Sequence, residues 1–136
     1  MKIVQKDFGV NSKGRNQMID ITGQVSSIVS QSGINDGDAI VYCPHTTAAV
    51  TINENADPSV MHDILLLLDE LVPQNHSGYR HSEGNSDAHV KSTLVGCSEH
   101  IPVSDGSLNL GTWQGVFFCE FDGPRSRSVI VQVTGE

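Results

Sequence analysis

The chain has 136 residues, 38% of them hydrophobic and 18% charged, and its 8 basic against 16 acidic groups give a formal charge of −8. That length is enough for one domain with a real core, and no run approaches the ~20 apolar residues of a membrane span. The acidic balance argues against a nucleic-acid or anionic-membrane partner, since the basic groups cluster only slightly: Arg125 and Arg127 sit together, and Arg80 and Lys91 flank a polar segment.

From the amino end, Ile3–Val10 and Asn16–Ile21 flank Asn11-Ser12-Lys13-Gly14-Arg15, a composition that predicts a hairpin turn. Met1 to Asp7 holds no apolar h-region, so no secretory signal is visible and a cytoplasmic setting is expected. Thr22 is the expected N-cap of a helix carrying Val25, Ile28 and Val29, ended by Gly33. After the turn Asn35-Asp36-Gly37-Asp38, the segments Ala39–Cys43 and Ala48–Ile52 read as buried strands joined through Pro44-His45-Thr46-Thr47.

The clearest helix starts at Asp57-Pro58, because aspartate accepts from orphan N–H groups and proline suits the first helical position. Met61, Ile64, Leu65, Leu68, Leu71 and Val72 then recur at helical spacing, and Pro73 closes the segment. This stripe reads as core packing rather than a cofactor box. A shorter helix is expected from Asp87 or Ala88 to Val95, stopped by Gly96. Asp105-Gly106 between Ile101-Pro102-Val103 and Leu108-Asn109-Leu110 signals a hairpin. Gly115–Phe121 and Ser128–Val133 are expected to pair across Asp122-Gly123-Pro124. The sum is a single α+β domain over residues 1–136, with a few helices covering one face of a largely antiparallel sheet or sandwich.

Chemistry concentrates in Tyr79-Arg80-His81-Ser82-Glu83-Gly84-Asn85-Ser86-Asp87-Ala88-His89. His81, Glu83, Asp87 and His89 are the side-chain types that bind divalent metals or move protons. Asp87 and His89 fall at a helix start, where free N–H groups and the macrodipole favour an anion; a phosphate beside Asp87 then calls for a cation between them. His45 is the best distant third ligand, because it follows a strand end. Glu54, Asn55 and Asp57 follow the next strand and can approach the same place, although Asp57 also suits a cap. His62, His76 and His100 lack partners and read as surface groups. Cys43 and Cys119 lie in apolar runs and read as buried thiols; the three cysteines, Cys97 included, form no Cys-x-x-Cys pair and no disulfide is expected. His81-Ser82-Glu83 matches the His-x-Glu of zinc deaminases without their Pro-Cys-x-x-Cys half, so that reading fails. No Gly-x-Gly-x-x-Gly, P-loop, His-Glu-x-x-His or Gly-x-Ser-x-Gly occurs, and no basic phosphate cradle is legible.

His45-Thr46-Thr47-Ala48, Asn53-Glu54-Asn55-Ala56-Asp57-Pro58, Asp87-Ala88-His89 and Leu110-Gly111-Thr112-Trp113-Gln114-Gly115, followed by Phe118-Cys119-Glu120-Phe121-Asp122-Gly123, resemble the YjbQ family of small proteins described as secondary thiamine-phosphate synthases. The resemblance implies a homotrimer of α+β subunits with a histidine-built site for a divalent metal, zinc or a similar ion, with magnesium as the alternative. It implies a small phosphorylated substrate: a pyrimidine methyl diphosphate joined to a thiazole phosphate with release of pyrophosphate. The rival reading is a metal- or small-ligand-binding protein whose synthase activity is incidental. On this reading His45, His81 and His89 are the candidate metal ligands and Glu83 and Asp87 the candidate catalytic carboxylates. Thr46, Thr47, Glu54, Lys91, Thr112, Trp113 and Gln114 are the candidate substrate-binding residues. By its residues alone, Trp113 reads as a packing anchor.

Overall fold

Which faces a strand must bury decides which sheet it joins. In the computed structural model, which describes residues 1–136, the strands are β1 (Lys2–Asn11), β2 (Gln17–Asp20), β3 (Gly37–Tyr42), β4 (Ala48–Glu54), β5 (Ser98–Ser104), β6 (Ser107–Leu108), β7 (Gln114–Glu120) and β8 (Ser126–Gly135). They form a five-stranded sheet in the order β1-β8-β3-β5-β6 and a three-stranded sheet in the order β2-β7-β4. Every pairing is antiparallel. Helices α1 (Thr22–Gln31), α2 (Pro58–Leu71) and α3 (Ser86–Val95) complete the domain, and none is long and apolar enough to cross a membrane. The α+β architecture agrees with the sequence.

The main core lies between the sheets. Val129, Val131 and Val133 of β8 and Ala39 and Val41 of β3 meet Val116 and Phe118 of β7 there, closed at one side by Val25 and Val29 of α1. The other face of β7 presents Phe117 and Cys119, which with Phe121 pack under Met61, Ile64, Leu65 and Leu68 of α2. A strand apolar on both faces is a central strand, and β7 takes β2 and β4 as its neighbours.

Two expected hairpins do not form. β1 pairs along its whole length with β8, from Lys2 opposite Gly135 to Asn11 opposite Ser126, and β2 pairs with β7. Likewise β7 and β8 belong to different sheets, and the turn at Asp122-Gly123-Pro124 carries the chain across the core. The reason is common to both. The apolar face of each long strand is satisfied by the opposing sheet, and ten residue pairs with a distant strand outweigh a local turn. The Asp105-Gly106 hairpin does form between β5 and β6, with φ of 52° and 74° as its tight turn requires.

α2 starts as expected, with Asp57 Oδ1 accepting from Ser59 N at 2.9 Å and Pro58 at the first position. Its stripe is only half covered: Leu71 is exposed, and Leu66 and Leu67 beside it are open too. Thr22 is the first residue of α1 rather than its cap. Its hydroxyl instead donates to Asp20 Oδ1 at 2.6 Å and accepts from Val116 N at 2.9 Å, pinning the helix to β7.

Candidate functional site

The site grows from the place where β3 stops. The register that sets Tyr42 opposite Ile130 would bring Pro44 opposite Ser128, and proline has no N–H to continue the ladder. His45 takes over that position. Its Nε2 lies 3.0 Å from Ser128 N and 3.2 Å from Ser128 O, and its ring meets Phe118 edge-on at 6.4 Å. Burial pushes the His45 pKa down, the Arg127 charge adds to that, and the contact with Ser128 only partly opposes them. His45 is therefore a neutral, anchored imidazole at neutral pH.

α3 supplies the opposite wall. Asn85 sits at its cap position, where the Asn85 carbonyl accepts from Ala88 N at 3.0 Å and His89 N at 3.3 Å. Ser92 Oγ donates to Thr46 O at 2.6 Å and ties the helix to the His45 loop. His45, Thr46 and His89 border two adjoining hollows. One, of about 360 Å³, is lined by polar side chains apart from Pro44 and also meets Thr47, Glu83, Asn85, Asp122, Arg125 and Arg127. The other, of about 400 Å³, runs along Ser92, Thr93 and Cys97.

The floor is a buried ion pair. Arg127 is 6% exposed and Glu120 fully buried. Arg127 Nε donates to Glu120 Oε1 at 2.9 Å, and Nη2 donates to Glu120 Oε2 and, at 2.8 Å, to Thr47 Oγ1. Ser12 Oγ and Asp122 N donate to the same carboxylate at 2.7 and 3.0 Å. Burial pushes the Glu120 carboxyl up, but the bonds from Arg127 and Ser12 outweigh it and hold the pKa below the usual range. These bonds leave Arg127 Nη1 uncommitted in the cavity wall. Arg125 donates from Nε to Asp122 O at 2.8 Å and from Nη2 to Asp122 Oδ2 at 2.9 Å. The basic pair Arg125 and Arg127, two positions apart in sequence, thus lines the same cavity as His45.

The structure divides the candidate residues. His45, Thr46, Thr47, Glu83 and His89 share the polar cavity. His81 lies on the far side of His89, its ring edge-on at 5.3 Å, with its Nε2 3.5 Å from Glu83. Imidazole and carboxylate are suitable donors for zinc, but no three His, Cys, Asp or Glu side chains converge on one point.

Asp87 and Lys91 face away from the cavity into the interior. Asp87 accepts from Arg15 Nη1 at 2.8 Å and Nη2 at 3.0 Å. Lys91 Nζ donates to Asp69 at 2.7 Å, to Asp87 at 3.3 Å and to Asn16 at 3.3 Å. With both side chains almost fully buried, they bind α2, α3 and the β1–β2 loop together.

Glu54, Thr112, Trp113 and Gln114 lie at the other end of β4 and β7, where Glu54 pairs with Gln114. Glu54 Oε2 accepts from Asp57 N at 3.1 Å, and Gln114 Oε1 accepts from Gly111 N at 2.8 Å. Trp113 is 64% exposed, so in this chain it anchors no packing.

The whole of this arrangement has relatives. The model for the family described as UPF0047 protein YjbQ-like matches residues 6–136. The chain belongs to the YjbQ-like UPF0047 family. Within it, the UPF0047 protein MJ1081 of Methanocaldococcus jannaschii is 53% identical, over 95% of this chain and 93% of its own. The UPF0047 protein YugU of Bacillus subtilis is 51% identical, over 96% and 98%. Among solved structures, a YjbQ/UPF0047-family protein of Clostridium acetobutylicum is 50% identical with a TM-score of 0.93, covering 95% of this chain and 99% of that one. A YbjQ-like protein of unknown function from Sulfolobus solfataricus is 36% identical with a TM-score of 0.95, covering 99% of each. The YjbQ fold is thereby shared along nearly the whole chain.

Proposed function

We propose that the polar cavity binds a small phosphorylated substrate and that the protein is a weak thiamine-phosphate synthase. The carrying observation is the pair Arg125 and Arg127 beside His45 and His89 in a mainly polar cavity. An arginine whose charge is fixed by a buried carboxylate and which keeps one free nitrogen is a preorganised phosphate donor. In the reaction, the thiazole nitrogen attacks the pyrimidine methylene, a C–N bond forms, the C–O bond to the diphosphate breaks, and its electron pair leaves with pyrophosphate. No proton has to be removed for that step. The chain's task is to hold the diphosphate and accept its growing charge. Arg127 Nη1 and Arg125 bind its oxygens. With Ser128 N–H donating to His45 Nε2, the neutral ring carries its proton on Nδ1 and donates it to a phosphate oxygen.

A divalent metal, zinc or magnesium, would be held by His89 and Glu83, with His45 left as the phosphate donor. When bound it would neutralise charge on the leaving diphosphate. His81 would orient His89 from outside.

The rival is a binding protein for a metal or a small phosphorylated ligand, and the unconverged histidines favour it. Pyrophosphate release by metal-replete protein supplied with both substrates separates the two. Turnover well above the solution background supports the synthase. A background rate with tight phosphate binding supports the rival, and no binding of either substrate defeats both.

We also propose a cytoplasmic homotrimer. Free Cys43, Cys97 and Cys119 suit a reducing compartment. The outer face of the five-stranded sheet leaves Tyr42 exposed beside half-covered Ile40 and Ile130, apolar surface of the kind that subunits cover. Light scattering should return three times the 14.6 kDa chain mass, and a monomeric mass rejects the assembly.

A further inference from the structure

Asn85 occupies the cap position of α3 without capping it. Its side chain makes no hydrogen bond to the helix. Its Nδ2 donates instead to Asp122 Oδ2 at 2.8 Å, the oxygen that also accepts from Arg125. That bond fixes the orientation of the amide, because only the nitrogen end can donate to a carboxylate. The other end, Oδ1, is the only buried side-chain polar atom in the protein that meets no partner, on a residue only 6% exposed. Buried acceptors are satisfied in the great majority of cases, and an exception points to a role. Asn85 is one of the residues that line the cavity shared by His45, His89 and Arg127.

Resting on the phosphate reading of that cavity, we propose that Asn85 is a specificity residue whose Oδ1 selects phosphorylated compounds carrying an O–H or N–H donor close to the phosphate. The phosphate meets Arg125 and Arg127 Nη1 while the donor meets Oδ1. Asn85 and Arg125 grip the same Asp122 oxygen, so the two ligand groups lie only a few bonds apart. A hydroxyalkyl or aminoalkyl phosphate fits this spacing, and a plain alkyl phosphate lacks the donor. The selection is effective because Oδ1 has no partner within the protein, so a ligand donor that reaches it displaces no existing bond.

Calorimetric titration of the full chain with 2-hydroxyethyl phosphate and with propyl phosphate, two esters of matched size, tests this. The hydroxyl ester should bind about fivefold or more tightly to the wild type, the range of one well-made buried hydrogen bond. In Asn85→Leu the two affinities should converge, with circular dichroism confirming the fold. Inorganic phosphate serves as the third probe. If none of the three binds at millimolar concentration, the phosphate reading of the cavity falls and this inference with it. If all three bind and the two esters bind alike, the phosphate reading stands and the role of Asn85 is overturned. A preference that survives undiminished in Asn85→Leu also overturns it, since another acceptor must then be responsible. Should that variant not fold, Asn85→Ser takes its place, and the wild-type ratio by itself already decides against the proposal if it is close to one.

Discussion

The ring of His45 and the backbone of Ser128 meet where a β-ladder would otherwise continue, with Nε2 at 3.0 Å from the amide nitrogen and 3.2 Å from the carbonyl oxygen. Either atom of Ser128 can use Nε2, and the choice sets what Nδ1 offers: a proton when the amide donates, a lone pair when the ring does. A strand-end histidine is thus held in place while its free nitrogen stays available for chemistry.

His45 should titrate below its ordinary value of 6.5, because burial and then the Arg127 charge disfavour the imidazolium. A depressed histidine binds fewer protons folded than unfolded. Its contribution to stability is complete above about pH 6.5 and declines as pH falls through the folded value. Following the ring proton by NMR against pH checks the sign; a titration at or above 6.5 would remove the neutral-donor role.

Asp87→Ala should destabilise the protein by about 1–3 kcal/mol, the cost of losing charged hydrogen bonds, because buried Lys91 keeps Asp69 at 2.7 Å while Arg15 loses its carboxylate. Burial pushes the Asp87 carboxyl up, yet Arg15 and then Lys91 outweigh that and hold its pKa below 3.8. The stability it contributes is therefore present above about pH 3.8 and lost as pH falls below that value. Urea unfolding of the variant measures the first effect and acid titration of the wild type the second. Lost activity with undiminished stability would return Asp87 to a catalytic role.

Arg125 and Arg127 should separate binding from folding. Arg125→Ala removes a half-exposed pair, so stability should change by less than ~1 kcal/mol while phosphate affinity falls several-fold. Arg127→Ala strips the partner from fully buried Glu120 and should cost about 3–5 kcal/mol. Phosphate titration beside thermal melts reads both, and an Arg125→Ala variant with wild-type affinity removes that residue from the cradle.

His89→Ala should lower metal affinity by more than the 10–100-fold typical of losses outside the ligand set, with the fold intact. His62, 73% exposed beside Asp63, is the matched control. Elemental analysis of both purified variants decides: full metal content in His89→Ala together with a lost fold would make His89 a structural residue.

Local chemistry was readable in the sequence, and distant pairing was not. Asp57-Pro58 starts its helix and Asp105-Gly106 makes its turn because each depends on backbone geometry within four residues. The β1–β8 and β2–β7 pairs join segments about a hundred residues apart, so turn-like loops misled the reading. The same holds in the site. The segment from His81 to His89 was conspicuous for its density of charged and ring side chains, but density does not say which way a side chain faces. Glu83 borders the cavity, whereas Asp87 turns inward because Arg15 waits there, 72 positions earlier. Arg125 and Arg127 stand out in the sequence as a basic pair, but nothing local says that Glu120 holds Arg127 in place in the folded chain. Trp113 was read as packed, yet its indole stands in solvent.

β4 has a further consequence through its length. From Ala48 beside the polar cavity to Glu54 beside Trp113 it runs seven residues, about 20 Å at the usual rise, too far for one substrate to touch both ends in one chain. In the homotrimer proposed above, residues from the Trp113 loop can serve only a neighbour's cavity. Division of labour between copies is then a matter of counting. Two variants, one damaged at His89 and one at Trp113, would each be silent alone. Unfolded and reassembled together, they would yield mixed trimers in which some cavities receive an intact half from each parent, and activity would return without any chain being repaired.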